Sequence, residues 1–289
     1  ESIPRQILID NIFRDIPSSP STLRVLKKFF DYLDSESING LPRGVGLSAI
    51  LSEYLMRDFD QMVKSLPGVY YYARYVDDMI IISRNLTKAK MIQKTIVRGL
   101  PKGLEANHKK TRFIKFNADK KNPESIKTFD FLGHTFSVPA ISGSVSKREV
   151  TADISERKMK KIKTRIVKSI QAYNSDHNFK DLQKRMWIIS ANHFFFDHRS
   201  GRYRGAGIYH NYQFIDETSK SLQGLDDFLR HAITSGKGKI FENFKSATNN
   251  TQRSKIMKCS FKRNFEEKKH YSFKNVELER LMRCWKYAI

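Results

Sequence analysis

The segment Ala73-Arg74-Tyr75-Val76-Asp77-Asp78-Met79-Ile80-Ile81-Ile82 carries more information than any other in this chain. Aromatic and β-branched residues flank a pair of acids, so the pattern predicts two strands, Val69–Tyr75 and Met79–Ile82, joined by a tight turn. Asp suits turns, and a solvated acidic tip would be ordinary. Flanks this apolar are expected to be buried, however, and two like charges at the end of a buried hairpin repel unless a cation neutralises them. Carboxylate oxygens suit Mg2+, which is commonly held by one or two acids together with substrate phosphates. Successive side chains on an extended chain point opposite ways, so the two acids are not equivalent. Asp77 is assigned as a bridging ligand and Asp78 as a weaker or outer one.

Upstream, Ile7, Leu8, Ile12 and Phe13 fall at helical spacing in a helix-rich start over residues 1–30. Ser18, Ser19 and Pro20 interrupt that pattern, and Leu23, Leu26, Phe30 and Leu33 line one face of a helix near 21–35. A Gly/Pro-punctuated loop at 39–46 leads to a helix from about Ser48, its expected cap, to Lys64. Downstream, residues 86–99 read as a helix carrying Ile92, Ile96 and Val97, and Phe129–Val138 reads as a strand containing a glycine. Near 145–152 the character changes. A basic amphipathic helix follows over 154–173, with Ile162, Ile166, Ile170 and Tyr173 on one face and Lys158, Lys161, Lys163, Arg165 and Lys168 mostly elsewhere. The remainder is expected to be mostly helical, with a basic, Gly-containing loop at 199–210.

Over 289 residues the formal net charge is +23, and hydrophobic residues make up 39% of the chain, with 20 Phe and 12 Tyr among the large ones. That is enough apolar surface for a real core, which excludes disorder throughout. A charge this large calls for a polyanionic partner, and nucleic acid gains affinity from each counterion released at a neutralised phosphate. A ribosome-like or membrane-surface protein is the plainer alternative. No apolar run approaches the ~20 residues that span a bilayer, and no secretory signal is visible. Cys259 and Cys284 form no metal-ligand or disulfide framework, which fits a reducing, cytoplasmic setting.

The acidic turn resembles the Tyr-x-Asp-Asp hairpin of reverse transcriptases, and further motifs follow in that family's order. Gly40-Leu41-Pro42-Arg43-Gly44-Val45-Gly46-Leu47-Ser48 is similar to the loop that supports the template base and the incoming nucleotide. Pro42, Gly44 and Ser48 match it; Arg43 stands where Gln is common, and Glu53 where Asn is common. Asn107-His108-Lys109-Lys110-Thr111 resembles the family's Asn-x-x-Lys-Thr segment, which implies that Lys110 stabilises or protonates the leaving pyrophosphate. Phe129-Asp130-Phe131-Leu132-Gly133-His134 resembles the hairpin that grips the primer, through Leu132 and Gly133; His134 is read as structural. The basic helix falls where such enzymes place a thumb whose lysines follow the duplex backbone, contacts that position but carry no sequence information.

The resemblance implies an α+β fold: a right-hand polymerase palm, an antiparallel sheet with helices, followed by a mostly helical thumb and C-terminal region. The expected division is palm at 1–148, thumb helix at 149–175 and a basic helical region at 176–289. It also implies RNA-directed DNA synthesis by two-metal phosphoryl transfer, with ions about 3.5–4 Å apart, Asp77 and Asp78 as metal ligands, and Tyr75 at the floor of the site. Mg2+ is the implied cofactor, with Mn2+ able to replace it, and dNTPs are the substrates. The implied partners are a structured non-coding RNA as template, the DNA product, and other polymerase subunits or a second copy, with no membrane. A third acidic ligand and the aromatic gate against the ribose 2′-hydroxyl are implied on a strand preceding Glu1; Asp10, Asp15 and Asp31 do not sit in the matching context. Within the family, Gly205–Tyr212 and Leu225–Leu229 look most like bacterial defence-associated members, which are related to retron and abortive-infection enzymes. Two alternatives stay open: an RNA polymerase of the same palm class, and a non-catalytic RNA-binding scaffold that keeps the fold.

Overall fold

The computed structural model describes residues 5–42, 44–84, 86–116, 126–140, 148–198 and 200–286. Their contacts group the chain into two compact units, Glu1–Phe116 and Asn117–Ile289. Helix and sheet are mixed, as an α+β fold requires. Among the described residues, no helix is long and apolar enough to cross a membrane.

The first unit opens with α1 (Arg5–Asp15) and α2 (Pro20–Ser35). Ser19 caps α2 by accepting from the Thr22 amide, and Pro20 takes the first helical position, where its missing N–H costs nothing. The helix α3 (Gly46–Ser65) is the beam of the unit. Its first half, through Leu51 and Leu55, joins Leu8, Ile12, Phe30, Leu33 and Leu41 in one core. Its second half, through Met56, Phe59 and Val63, forms another with Ile92 and Ile96 of α4 (Leu86–Gly99). Burying side chains of this size contributes about 1.5–3 kcal/mol each, so α3 is fixed along its length.

Strands β1 (Val69–Tyr75) and β2 (Asp78–Ser83) pair antiparallel, with Tyr75 opposite Asp78, leaving Val76 and Asp77 as a two-residue turn. Val69, Tyr72, Met79 and Ile81 pack on the second core. The opposite face is open: Tyr71, Tyr75 and Ile82 are exposed. Full burial of the flanks, expected from their composition, is therefore corrected. A two-stranded ribbon has one face against the helices, and alternation sends every second side chain outward.

In the second unit, β3 (Lys127–Phe131), β4 (His134–Val138) and β5 (Thr151–Ile154) form an antiparallel sheet. The stretch read as one strand, Phe129–Val138, is instead part of a hairpin that reverses at Leu132-Gly133. Both turn residues have positive φ, 49° and 85°, the geometry that matches strand twist in two-residue hairpins. Helix α5 (Glu156–Asp176) starts directly after β5, and the Ser155 amide donates to the Gly133 carbonyl at 3.1 Å. These contacts tie the hairpin to the second compact unit, Asn117–Ile289.

Ile162, Ile166, Ile170 and Tyr173 of α5 are all buried, as their spacing predicts. They pack with α6 (Phe179–Ser190), α8 (Lys220–Thr234), α9 (Lys239–Ala247), α10 (Asn250–Met257), α11 (Phe261–Glu266) and α12 (Asn275–Met282) around Leu182, Leu225, Phe244, Ile256, Phe261 and Leu281. The region after 176 is not helical throughout: β6 (Asn192–Asp197) pairs antiparallel with β7 (Arg202–Gly207) and parallel with β8 (His270–Ser272). The basic loop expected at 199–210 is therefore largely β7 and the start of a short helix α7 (Ile208–Tyr212); Arg199 lies outside the described residues.

Candidate carboxylate site

Val76, at the tip of the β1–β2 hairpin, has φ 58°. For a β-branched residue this left-handed conformation is a real outlier, worth about 1–3 kcal/mol of strain that the surroundings must hold in place. The neighbouring Arg74 supplies the restraint. Its Nη1 donates to the Val76 carbonyl at 2.9 Å and to Glu53 Oε1 at 3.0 Å. Its Nη2 donates to Glu53 Oε2 at 2.7 Å and Asp60 Oδ2 at 2.6 Å, and its Nε to Asp60 Oδ1 at 2.8 Å. All five guanidinium N–H groups are thus used, and the side chain is only 4% exposed.

Glu53 and Asp60 are seven residues apart on α3, two turns along one stripe, so a single helix presents both acids to the one cation. Tyr72, two residues before Arg74 on the same strand face, donates to Asp60 Oδ1 at 2.6 Å. Burial alone would raise the Asp60 pKa, but the hydrogen bonds from Arg74 and Tyr72 outweigh it and hold the carboxyl below its usual range. The Asp60 hydrogen bond foremost, opposed by burial and reinforced by Glu53, raises the Arg74 pKa. Burial, then the bond to Asp60, raises that of the Tyr72 hydroxyl. Asp60 is therefore ionised and committed to structure.

Asp77 and Asp78 differ from it in every respect. Both are exposed, and neither carboxylate meets a hydrogen-bond donor or cation among the described residues. Two free carboxylates side by side on a restrained turn form a hard-oxygen donor pair that fits Mg2+ or Mn2+. Among the described residues no group of three or more acidic, His or Cys side chains converges, so this donor set is a pair. Tyr75, the other residue placed here, points outward and is 64% exposed.

The glycine-rich loop enters the same helix. Pro42 and Gly44 precede α3; Arg43 lies outside the described residues. Ser48 is not the cap expected: Val45 occupies that position with no side-chain bond, and Ser48 sits in the first turn with its hydroxyl buried and unpartnered. The loop and the carboxylate turn are therefore both fastened to α3, the first through its N-terminus and the second through Glu53 and Asp60.

Lys110 projects from a separate bracket. The Asn107 side-chain oxygen accepts from the Lys109 and Lys110 amides at 3.1 and 3.3 Å, and its backbone carbonyl accepts from the Lys110 amide, the Thr111 amide and the Thr111 hydroxyl at 2.9–3.0 Å. The Asn and Thr of the motif thus build an Asx-type turn whose residues, Lys110 included, are all exposed. The ammonium contacts neither Asp77 nor Asp78. Leu132 and Gly133 stand at the β3–β4 turn of the second unit, where the Lys158 side chain lies across Gly133 so closely that a Cβ would come 2.7 Å from its Cε. His134 packs edge-on against Tyr212, consistent with a structural place.

Sequence reasoning missed Arg74, Tyr72 and Asp60 as parts of the site and treated Glu53 only as a departure from a pattern. The signal was present: two acids at i and i+7 on an apolar helix, and one arginine three residues before the acidic pair. The residues that suggested a finer class also have packing uses. Gly207 lies against Ala191 and Asn192, and Asp226 accepts from the Ser260 hydroxyl and the Phe261 and Lys262 amides at the start of α11.

Residues 3–136 match the family described as "Reverse transcriptase (RNA-dependent DNA polymerase)". The chain is also similar to the telomerase reverse transcriptase of Bos taurus, at 36% identity over 76 residues, which is 25% of this chain and 7% of that protein. No solved structure matches. The matched span holds the glycine-rich loop, α3 with its clamp, the carboxylate turn, the Asn107 bracket and the Leu132-Gly133 turn, and residues 3–136 therefore carry a reverse transcriptase domain.

Proposed function

We propose that this chain is an RNA-directed DNA polymerase whose nucleotidyl transfer takes place at the Asp77–Asp78 turn. The observation that carries the reading is the pair of free carboxylates on a turn strained into place by a buried arginine, inside a span that matches reverse transcriptases. Asp77 and Asp78 hold the divalent metal, Mg2+ or Mn2+, which supplies Lewis acidity to the phosphoryl oxygens and to the attacking hydroxyl; two-metal transfer is the form the family resemblance implies. Lys110, free on its bracket, meets the triphosphate and neutralises or protonates the leaving pyrophosphate. Pro42, Arg43, Gly44 and Ser48 support the template base and the incoming dNTP, Tyr75 floors the site, and Leu132 and Gly133 hold the primer end. In this reading residues 1–148 act as palm, 149–175 as thumb and 176–289 as a basic region for RNA and product. The net charge of +23 supports binding along a polyanionic duplex. The setting proposed is bacterial antiphage defence with a structured RNA as template, on the resemblance of Gly205–Tyr212 and Leu225–Leu229 alone.

The test is incorporation of labelled dNTPs, against NTPs, by purified protein in Mg2+, with Asp77→Asn/Asp78→Asn as control. Polymer from dNTPs that vanishes in the double variant is expected. Equal incorporation by the variant, or a preference for NTPs, overturns the reading.

A further inference from the structure

We infer that Arg74 is a positioning residue for synthesis: clamped between Glu53 and Asp60 of α3, it holds Val76 in its left-handed conformation and so sets the direction in which Asp77 and Asp78 present their carboxylates. The inference rests on the proposed polymerase reading and deepens it, because Arg74, with every N–H already engaged, acts through the turn.

Three observations converge. An arginine that is 4% exposed has no N–H left for a ligand, since two carboxylates and one carbonyl take all five. It is therefore not a phosphate-binding group, although it stands three residues from Asp77. The carbonyl it grips belongs to Val76, the residue with the unfavourable φ of 58°, so the bond falls on the one peptide of the turn that needs restraint. Finally, α3 is anchored in both cores of the unit, so the clamp ties the turn to a helix held along its length. Glu53 sits where the related loop-and-helix commonly carries Asn; here its second oxygen completes a fork-to-fork pair with the guanidinium, which an amide cannot do with two acceptors.

Lysine cannot replace this geometry: it brings the charge but neither the planar fork nor five donors. In Arg74→Lys the Val76 carbonyl is released, and the turn is expected to relax toward negative φ and swing the carboxylates. A displacement near 1 Å at reacting groups costs on the order of 10²-fold in rate, and that loss should appear in kcat with the KM for dNTP nearly unchanged. Val76→Gly removes the steric penalty for positive φ, so Arg74→Lys/Val76→Gly should recover much of the lost rate, whereas a variant damaged merely in stability would not be rescued by adding a glycine.

The experiment measures, on the full chain, amide hydrogen exchange across Tyr72–Ile80, Mn2+ affinity by electron paramagnetic resonance, and kcat with KM for dNTP. The proteins are the parent, Arg74→Lys, Glu53→Gln and the Arg74→Lys/Val76→Gly pair. Faster exchange at the turn, weaker Mn2+ binding and lower kcat in Arg74→Lys are expected, with smaller changes of the same sign in Glu53→Gln, whose exposed side chain makes it the safer variant for folding. Recovery in the double variant completes the pattern. Unchanged exchange and kcat in folded Arg74→Lys or Glu53→Gln overturns the positioning role, as does loss of rate that Val76→Gly leaves unrescued while exchange returns to the parent pattern. A parent that makes no polymer removes the polymerase reading, and exchange at the turn still decides whether Arg74 sets its conformation.

Discussion

Replacing Gly207 by alanine should unfold the second unit at markedly lower denaturant, and the structure allows the size to be worked out. Gly207 has φ 124°, and a Cβ built there would lie 2.2 Å from the Ala191 carbonyl oxygen, 2.5 Å from the Asn192 Cα and 2.9 Å from the Asn192 Oδ1. All three are fixed: two are backbone, and the Asn192 side chain is held by donating to the Lys269 carbonyl at 3.0 Å and accepting from the Tyr209 amide at 2.9 Å. Carbon atoms pack at about 3.5–4.0 Å, so β7 and α7 must retreat by roughly an ångström from β6. That retreat loosens the Tyr209 bond and the 3.1 Å bond from the Ile208 amide to the Ala191 carbonyl. Two weakened hydrogen bonds at ~1 kcal/mol each and ~1–3 kcal/mol of backbone strain put the cost near 3–5 kcal/mol. Gly201→Ala is the matched control: φ is 64° there, but nothing lies within 4 Å of the added Cβ, so only the left-handed penalty of ~1–2 kcal/mol applies. The chain's two tryptophans, Trp187 and Trp285, both lie in the second unit, so fluorescence in urea reports its unfolding selectively. If Gly207→Ala and Gly201→Ala unfold at the same midpoint, the close-approach argument is wrong.

Four further outcomes are expected. Asp226→Ala leaves the α11 start without its carboxylate acceptor and should lower stability of the second unit by about 2–3 kcal/mol in the same urea assay. His193 is 7% exposed with an unpartnered Nδ1; burial, aided by His210 and His270, depresses its pKa to about 4. The unfolded chain then binds a proton that the folded chain does not, so its contribution is complete above about pH 6.5 and is lost as pH falls toward 4. The slope is about 1.4 kcal/mol per pH unit at most, and urea midpoints between pH 6.5 and 5 should show it flattened in His193→Leu. Lys110→Ala should lower kcat by about 10²–10⁴-fold, and Asn107→Ala should lower it less, by freeing the bracket, as single-turnover incorporation would measure.

The legibility of this chain follows from how local its signals are. The helices α2, α3 and α5 show through their periodic apolar faces, and β1 and β2 through an acidic turn between apolar runs, since residues within a few positions decide them. Residue pattern alone reads Phe129–Val138 as one strand, because the β3–β4 turn offers a single glycine while Leu132 adopts a left-handed conformation that its identity does not advertise; only the family resemblance points to a hairpin there. Strand β8 is three residues long and pairs in parallel with β6 more than 70 positions earlier, so no nearby residue announces it. The same divide runs through the site. Asp77, Asp78 and Lys110 stand out in the sequence as candidates, whereas the Arg74 clamp leaves only a faint sequence signal, because its partners Glu53 and Asp60 meet it only when α3 is laid against β1.

Primer extension on a defined RNA template tests the central claim most directly, with the product sequenced and Asp77→Asn/Asp78→Asn run beside the parent. The account predicts DNA complementary to the RNA from the parent and none from the double variant. Complementary DNA from the variant, or product unrelated to the template, would contradict it.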